Sequence, residues 1–388
     1  MTNKLAIEEF INEHMHLDAP ALALLLNKRP GLPSNHIINQ IKGRKVAKQK
    51  LPDWTMPGIV YPSKQALEQC SSSITAKYKA SLLPQSNQMV DLTGGLGVDT
   101  YYLGEKFNKI LYVESNSELF EISKRNLNLL MPSKEMEFLN ITAEDIIKKL
   151  SNDIDFIYVD PDRRTSKSSK GVRISDCSPD IEMMERELLQ LSPNIMVKFS
   201  PLLDIKQAIR ELNNVNSIHI VAVDNDCKEV LLELKRKELA LKQIPISCIN
   251  FTKDGVEQFD FSLAEEEQSP VAFSDPLKYL YEPNVSVMKA GAFRTIAHKL
   301  KATKLAPNSH FYTSEDLIVD FPGKRFKVVT LSSRLKGLTK QANIISRNHP
   351  LKPDEIRKKG KIKDGGNEFL IATKLMNNQP TYILCELV

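Results

Sequence analysis

From Met89 to Leu234 the chain alternates short apolar runs with amphipathic stretches, and this alternation limits the fold more than any other feature. Met89–Leu92, Ile110–Val113, Met136–Asn140, Phe156–Val159 and Ile195–Phe199 read as strands. Asp99–Lys106, Ser117–Leu130, Ala143–Leu150, Ile181–Leu191 and Ile205–Leu212 carry helical spacing, and Ile218–Val223 with Val230–Leu234 reads as a closing pair of strands. Strands separated by helices return in the same direction through crossovers, so the expectation is an α/β fold of Rossmann-like type with a mostly parallel sheet. A chain of 388 residues exceeds one small core and implies two or three domains.

The flanks differ in kind. Residues 4–49 read as helical, with breaks at Pro30–Gly31 and Pro33–Ser34. A connector from Pro52 to Pro62 holds Trp54, and residues 63–83 read as one helix started by Ser63 and ended before Pro84. The acidic tract Glu265–Glu267 reads as loop, and residues 283–300 as helix. Beyond residue 323 a small α+β module is expected. It has strands at Phe326–Leu331 and Asn343–Arg347, helices at Ser332–Gln341 and Pro353–Lys359, and a hairpin of Phe369–Met376 with Thr381–Leu387.

Charge separates the regions further. Residues 324–363 hold 13 Lys/Arg against Asp354 and Glu355, a balance of +11 within a whole-chain balance of +5. Such a run is either a solvated face or a surface for an anionic partner, with nucleic acid the natural candidate. Arg334, Lys336, Lys340, Arg357, Lys358, Lys359 and Lys361 are the expected contributors. A smaller run comprises Lys42, Arg44, Lys45, Lys48 and Lys50. The five cysteines are scattered without a Cys/His cluster, so neither a metal site nor a disulfide framework is expected. The acidic start (Glu8, Glu9, Glu13) does not read as a signal peptide. No stretch reaches the roughly 18 apolar residues of a membrane span, so no membrane partner and a cytoplasmic location are expected.

Chemistry concentrates at the strand ends. Val90-Asp-Leu-Thr-Gly-Gly-Leu-Gly-Val-Asp99 lies where a strand turns into a helix, where glycines admit a ligand to the backbone and the helix start offers free N–H groups. A tight structural turn would look the same. Glu114 ends the next strand about 20 residues later, where a carboxylate can accept from both ribose hydroxyls. This spacing also suits a nicotinamide enzyme. Glu144 and Asp145 follow the third strand, where an acid can accept from an adenine amino group or merely start a helix. Ile157-Tyr-Val-Asp-Pro-Asp-Arg-Arg164 delivers an acid and a proline to the carboxyl end of the fourth strand.

With these four elements in order over about 75 residues, the chain resembles the class I S-adenosylmethionine (SAM)-dependent methyltransferases. Asp91, Gly95 and Gly97 match their Asp-x-x-x-Gly-x-Gly loop. Thr93 replaces a glycine often found there, and Gly94 is additional. The resemblance implies SAM as cofactor, held by Asp91, Thr93, Gly95, Gly97 and Glu114 with Glu144 and Asp145. It places Asp160–Pro161 beside the transferred methyl group. Amino-nitrogen methyltransferases of nucleic acids usually read (Asp/Asn)-Pro-Pro-aromatic at the fourth motif. Here Asp162 and Arg163 replace the last two residues, and the Arg163 guanidinium could supply the stacking plane. The motif also resembles the Asp-Pro-Pro-Arg of uridine C5 methyltransferases, but Lys198-Phe-Ser-Pro201 lacks the nucleophilic cysteine they need after the fifth strand.

The whole chain resembles a bacterial family of methyltransferases with a helical N-terminal region, a ferredoxin-like segment and a C-terminal THUMP-like domain. Leu67-Glu-Gln-Cys-Ser-Ser72, Tyr78-Lys-Ala80, Asp224-Asn-Asp-Cys-Lys-Glu229, Glu282-Pro-Asn284, Met288-Lys-Ala-Gly291 and Asn308-Ser-His310 carry that resemblance. It implies a helical region 1–60, a methyltransferase domain 61–240, a ferredoxin-like segment 275–322 and a THUMP-like domain 323–388. THUMP-type domains are linked with RNA, chiefly tRNA. The expectation is therefore methylation of a base in structured RNA, tRNA or rRNA. Asp160 would orient or deprotonate the acceptor beside Pro161 and Arg163, while Arg164, Lys198 and the basic module would contact substrate. A small-molecule or protein methyltransferase, or a SAM-fold RNA-binding protein without catalysis, stays open.

Overall fold

The computed structural model describes residues 2–151, 153–163, 173–237 and 239–388. The chain divides into two compact units, Met1–Asn214 with Leu232–Glu238, and Val215–Leu231 with Leu239–Val388. The first unit begins with α1 (Thr2–Glu13), α2 (Ala19–Asn27) and α3 (Ser34–Lys50). Asp18 caps α2 by accepting from the Ala21 N–H at 2.9 Å. Phe10, Ile11, Leu22, Leu26, Ile37 and Ile41 form a core of their own among these helices. The stretch expected as one helix over 63–83 is two, α4 (Lys64–Gln69) and α5 (Ser73–Ser81). The Ser72 hydroxyl accepts from the Thr75 N–H at 3.2 Å, starting a new helix where the sequence period alone would have continued the old one.

The central sheet of this unit uses β1 (Ser86–Asp91), β2 (Phe107–Val113), β3 (Glu135–Leu139) and β4 (Phe156–Val159), with α6 (Val98–Gly104), α7 (Ser117–Leu130) and α8 (Ala143–Ile146) between them. After β4 come a short pair, β5 (Asp162–Arg163) and β6 (Cys177–Ser178), then α9 (Ile181–Leu191), β7 (Asn194–Phe199) and α10 (Ile205–Glu211). The strand order β7-β4-β1-β2-β3 is parallel throughout, with Val90 opposite both Leu111 and Ile157. The chain moves outward from β1 through β2 to β3 and then returns to the other side of β1 as β4. That reversal opens a crevice at the carboxyl ends of β1 and β4, where open α/β sheets bind ligands.

The second unit opens with β8 (Val215–Val223) and the first part of β9 (Asp226–Lys235), which turn through Asp224 and Asn225 at positive φ; from Leu232 on, β9 belongs to the first unit. Next come β10 (Pro245–Thr252), parallel to β8, and its antiparallel partner β11 (Gly255–Ser262), two strands the sequence reading did not place. Residues Glu265–Glu267, read as loop, lie in α11 (Leu263–Gln268). A reciprocal cap starts it, with the Glu265 N–H on Ser262 Oγ and the Ser262 N–H on Glu265 Oε2.

A seven-stranded sheet follows, built from β12 (Tyr279–Pro283), β13 (Thr303–Lys304), β14 (Tyr312–Ser314), β15 (Gly323–Ser332), β16 (Asn343–Ser346), β17 (Glu368–Lys374) and β18 (Pro380–Leu387) in the order β13-β14-β12-β15-β18-β17-β16. The expected helix at 283–300 is α12 (Val285–Ala290) and α13 (Thr295–Lys299), parted at Gly291, whose φ is +77°. The helix expected at Ser332–Gln341 is absent. Ser332 Oγ accepts from the Arg334 N–H and Gly337 has φ +83°, both turn features that compete with helix. The helix α14 (Pro353–Gly360) covers one face of the sheet, packing Ile356 against Leu370, Ala372, Tyr382 and Leu384. Ile371, Ile383 and Cys385, one residue out of phase, pack the other face with Leu280, Leu305, Phe311 and Phe326. Among the described residues no helix is long and apolar enough to cross a membrane.

Candidate active site

The loop after β1 is shaped by glycines with different duties. The Gly94 N–H donates to Val113 O at 2.7 Å, and a Cβ there would fall 2.0 Å from the Tyr112 ring, so the glycine that is additional to the family pattern is needed for close packing. Gly95 (φ +56°) and Gly97 (φ +84°) take left-handed conformations. Tyr112 and Ser123 donate to Gly95 O at 2.5 and 2.8 Å, fixing the peptide from below. The Gly95 N–H reaches Glu114 Oε2 at 2.9 Å and the Asn116 N–H reaches Oε1 at 2.7 Å. Both oxygens of Glu114 are thus held in place at the cavity edge, each with a further lone pair.

Asp91 is fully buried and accepts from the Thr93 N–H and Thr100 Oγ1 at 3.0 and 2.5 Å. Burial pushes its carboxyl up to about 7, against those hydrogen bonds. It shapes the loop from beneath and does not line the cavity. Thr93 does line it, and its Oγ1 accepts from the Asp160 N–H at 2.6 Å, tying the loop after β1 to the loop after β4. Gly95→Val places a branched side chain at positive φ beside the cofactor's path. We expect it to weaken SAM binding at least about tenfold by calorimetry, on a strain cost of about 1–3 kcal/mol; affinity equal to wild type would misplace the site.

A cavity of 520 Å³ opens at this crevice. Its rim includes Thr93–Gly97, Glu114, Asn116, Thr142–Glu144, Asp160, Asp162 and Ser178–Pro179. Five acids line it (Asp99, Glu114, Glu144, Asp160, Asp162), and no Lys or Arg does so among the described residues. A cavity of this size suits a nucleoside-sized ligand. Its charge suits one carrying net positive charge, as a sulfonium amino-acid nucleoside does, better than a dinucleotide with two phosphates. Glu114 and Glu144 are placed to accept from hydroxyl and amino groups. The residues therefore fit SAM. Asp145 is not at the wall. Its carboxylate accepts from Thr142 Oγ1 at 2.9 Å and faces Lys148 at 3.7 Å, so it serves the start of α8 while its neighbour Glu144 faces the cavity.

Beneath the cavity lies a chain of buried charges. Lys79, without exposed surface, sits 3.2 Å from Asp99, which also accepts from Ser71 and Tyr158 at 2.7 and 2.8 Å. Burial pushes the Asp99 carboxyl up, but Lys79, Lys198 and the two hydroxyls outweigh it and hold it below the usual range. Lys198 Nζ lies 2.5 Å from Asp160 Oδ2. Burial pushes Asp160 up to about 6 against the pull of Lys198, although 33% of its side chain stays open to the cavity. Lys79→Met would leave Asp99 without its nearest cation and should destabilise the unit by about 3–5 kcal/mol. The measurement is the urea midpoint. Because the Asp99 carboxyl is held low, its stabilisation is present above the ordinary aspartate range and lost on acidification, so the difference from wild type should narrow as pH falls.

The remaining expected residues fall in several places. Pro161 is buried directly after Asp160. Arg163 is exposed in β5, opposite Cys177 of β6, and is not among the cavity residues, whereas Asp162 is. Arg164 lies outside the described residues. Lys198, expected at the substrate, is committed to Asp160. In the second unit Arg334, Lys336, Lys340, Lys358, Lys359 and Lys361 are exposed. Leu335 packs with Ile356 and Ile362 and abuts Gly360, which brings the segment bearing Arg334 and Lys336 against the one bearing Lys359 and Lys361. Arg357 is engaged by Asp354 and Asp364 at 2.9 and 2.6 Å. The N-terminal basic run is largely used internally: Arg44 pairs with Glu8, Lys45 donates to Leu17 O, and Lys50 donates to Leu67 O and Glu68 O. Sequence reasoning missed the α4 wall (Ser63, Gln65, Ala66, Gln69, Cys70, Ser71) and the Lys79–Asp99 pair. A lysine on an otherwise buried helix face was the available signal.

Comparison with known proteins agrees with this architecture. Residues 279–322 match a family model described as a ferredoxin-like domain, and residues 324–387 one described as THUMP domain-like. No curated protein matches the chain. Among solved structures, a candidate methyltransferase from Porphyromonas gingivalis W83 superposes with a TM-score of 0.90 at 31% identity, covering 100% of this chain and 98% of that one. An rRNA methylase from Streptococcus thermophilus is 17% identical with a TM-score of 0.33 and covers 44% of this chain and 99% of its own. Identity, full-length coverage and the two domain matches converge: the chain belongs to the bacterial family of class I SAM-dependent methyltransferases that carry a ferredoxin-like segment and a C-terminal THUMP-like domain.

Proposed function

We propose that this enzyme methylates a base in structured RNA, tRNA or rRNA, in the cytoplasm. The observation that carries the reading is the division of charge. The cavity is walled by acids, while the THUMP-like domain exposes Arg334, Lys336, Lys340, Lys358, Lys359 and Lys361 on segments packed together. An acidic cavity repels phosphate and admits a neutral base, and phosphate contacts then fall to the basic module. Residues 61–240 would carry catalysis, with the ferredoxin-like segment 275–322 and the THUMP-like domain 323–388 completing the chain.

SAM, when bound, supplies an electrophilic methyl group that needs alignment more than activation. Glu114 would hold the ribose and Glu144 the adenine amino group, both lining the cavity. Asp160 accepts a hydrogen bond from the acceptor nitrogen and takes its proton. Pro161 keeps the loop after β4 stiff, and Arg163 contacts the RNA beyond the cavity mouth. The test is incubation of the full chain with tritiated SAM and total RNA from cells lacking the gene, followed by nucleoside mass spectrometry. A labelled nucleoside absent from mock-treated RNA is the expected result. Label confined to protein or small metabolites would overturn the RNA assignment.

A further inference from the structure

Four charged side chains alternate in sign beneath the cavity: Lys79 and Asp99 at 3.2 Å, then Lys198 and Asp160 at 2.5 Å, with Lys198 also acting on Asp99. They come from α5, α6, β7 and the end of β4, so the arrangement is rigid in origin. Only Asp160 of the four combines a strong ion pair with substantial exposure to the cavity, 33% of its side chain against 11% for Lys198. We propose that Lys198 is the positioning residue for Asp160, holding its carboxylate at the cavity wall in the orientation that receives the proton of the acceptor nitrogen. The proposal rests on the methyl-transfer reading above.

The physical need for such a residue is plain from the wall. Asp160 feels the like charge of Asp99 from α6 and acts in turn on Asp91 at the end of β1, with Asp162 two residues on, and among the described residues Lys198 and Lys79 oppose them. Carboxylates crowded in a partly dry site resist ionisation, and a protonated Asp160 could not accept a proton. Lys198 supplies the opposing charge at contact distance. Its short link also anchors Oδ2 of the carboxylate, while the Thr93 contact holds the Asp160 backbone. In the transfer, the acceptor nitrogen's lone pair forms the new C–N bond as the methyl–sulfur bond breaks and its electrons return to sulfur. The nitrogen's proton passes to Asp160 and then to solvent. Lys198 keeps its own proton throughout, and this distinguishes it from a catalytic acid.

The test reads Asp160 directly and does not require a known substrate. The full chain is labelled at aspartate Cγ with carbon-13, the Asp160 signal is assigned by its loss in Asp160→Asn, and the signal is titrated. Wild type should titrate near 6. Lys198→Met should raise the midpoint by about one to two pH units, the usual effect of losing an adjacent opposite charge. Lys198→Arg should return it toward wild type. If Lys198→Met does not fold, Lys198→Gln carries the same expectation. A second arm follows tritiated-methyl transfer to total RNA against pH. The rise in rate should track the Asp160 midpoint in wild type and move with it in the variant. A cooperatively melting variant whose Asp160 midpoint is unmoved, or whose rate falls equally at every pH, overturns the proposal. Absence of transfer by wild type, with the carbon-13 midpoint still moving, overturns the RNA reading and leaves the Lys198–Asp160 coupling established.

Discussion

Asp160→Ala should lower methyl transfer by a factor of about 10²–10⁴, the range for removal of a positioned proton acceptor, while affinity for SAM by calorimetry stays within about a few fold. The backbone explains the separation. The Asp160 N–H that bonds Thr93 Oγ1 survives in alanine, so the two loops of the crevice remain tied. Glu114, which also holds the Gly95 and Asn116 amides, is untouched. The variant leaves the Lys198 ammonium without its 2.5 Å partner beside a site for a cationic ligand, which accounts for the few-fold weakening. Asp160→Asn keeps the shape and can still hydrogen-bond but cannot take a proton, so it should resemble alanine in rate, with affinity for SAM within the same few-fold range. Turnover at wild-type level in either variant would remove Asp160 from the reaction. Arg163→Ala should matter less, because Arg163 is exposed beyond the cavity wall.

Reversing Lys358, Lys359 and Lys361 to glutamate should weaken RNA binding about a hundredfold or more at 100 mM salt and flatten its salt dependence. Each cation that neutralises a phosphate releases counterions and adds roughly 0.7–0.9 to the slope of log affinity against log salt. Raising salt from about 50 to 200 mM should therefore cost wild type a few powers of ten, and the triple variant distinctly less. The three lysines are exposed at the end of α14, whose buried Ile356 anchors the helix to the sheet, so reversal should leave the fold intact. SAM affinity should not change. Arg357→Ala is the internal control: Asp354 and Asp364 already hold that guanidinium, and its loss should alter the slope less. A triple variant with normal affinity and an unchanged slope would reduce the basic run to a solvated face and turn the substrate search toward small molecules.

What the sequence determined by itself was local. Strand and helix periods from β1 to β9, the glycine turn at Gly94–Gly97, the acid closing β2 and the Asp-Pro pair after β4 depend on neighbours a few residues apart, and the family pattern could be read from them. Local competition already defeated that reading at three points. Hydroxyl caps restarted a helix at Ser72, made a helix of the acidic tract after Ser262, and replaced the expected helix after Ser332 with turns. Tertiary structure alone decided which side chains share the cavity. Lys79 and Asp99 are 20 residues apart and Lys198 and Asp160 are 38, and no period or motif links such pairs. Burial then gives these contacts their force, because removing charge from water makes a partner at contact distance obligatory. Hence Lys198 belongs with Asp160, and Glu144 rather than Asp145 faces the cavity. Arg357 is spent on its acidic neighbours for a gentler version of the same reason.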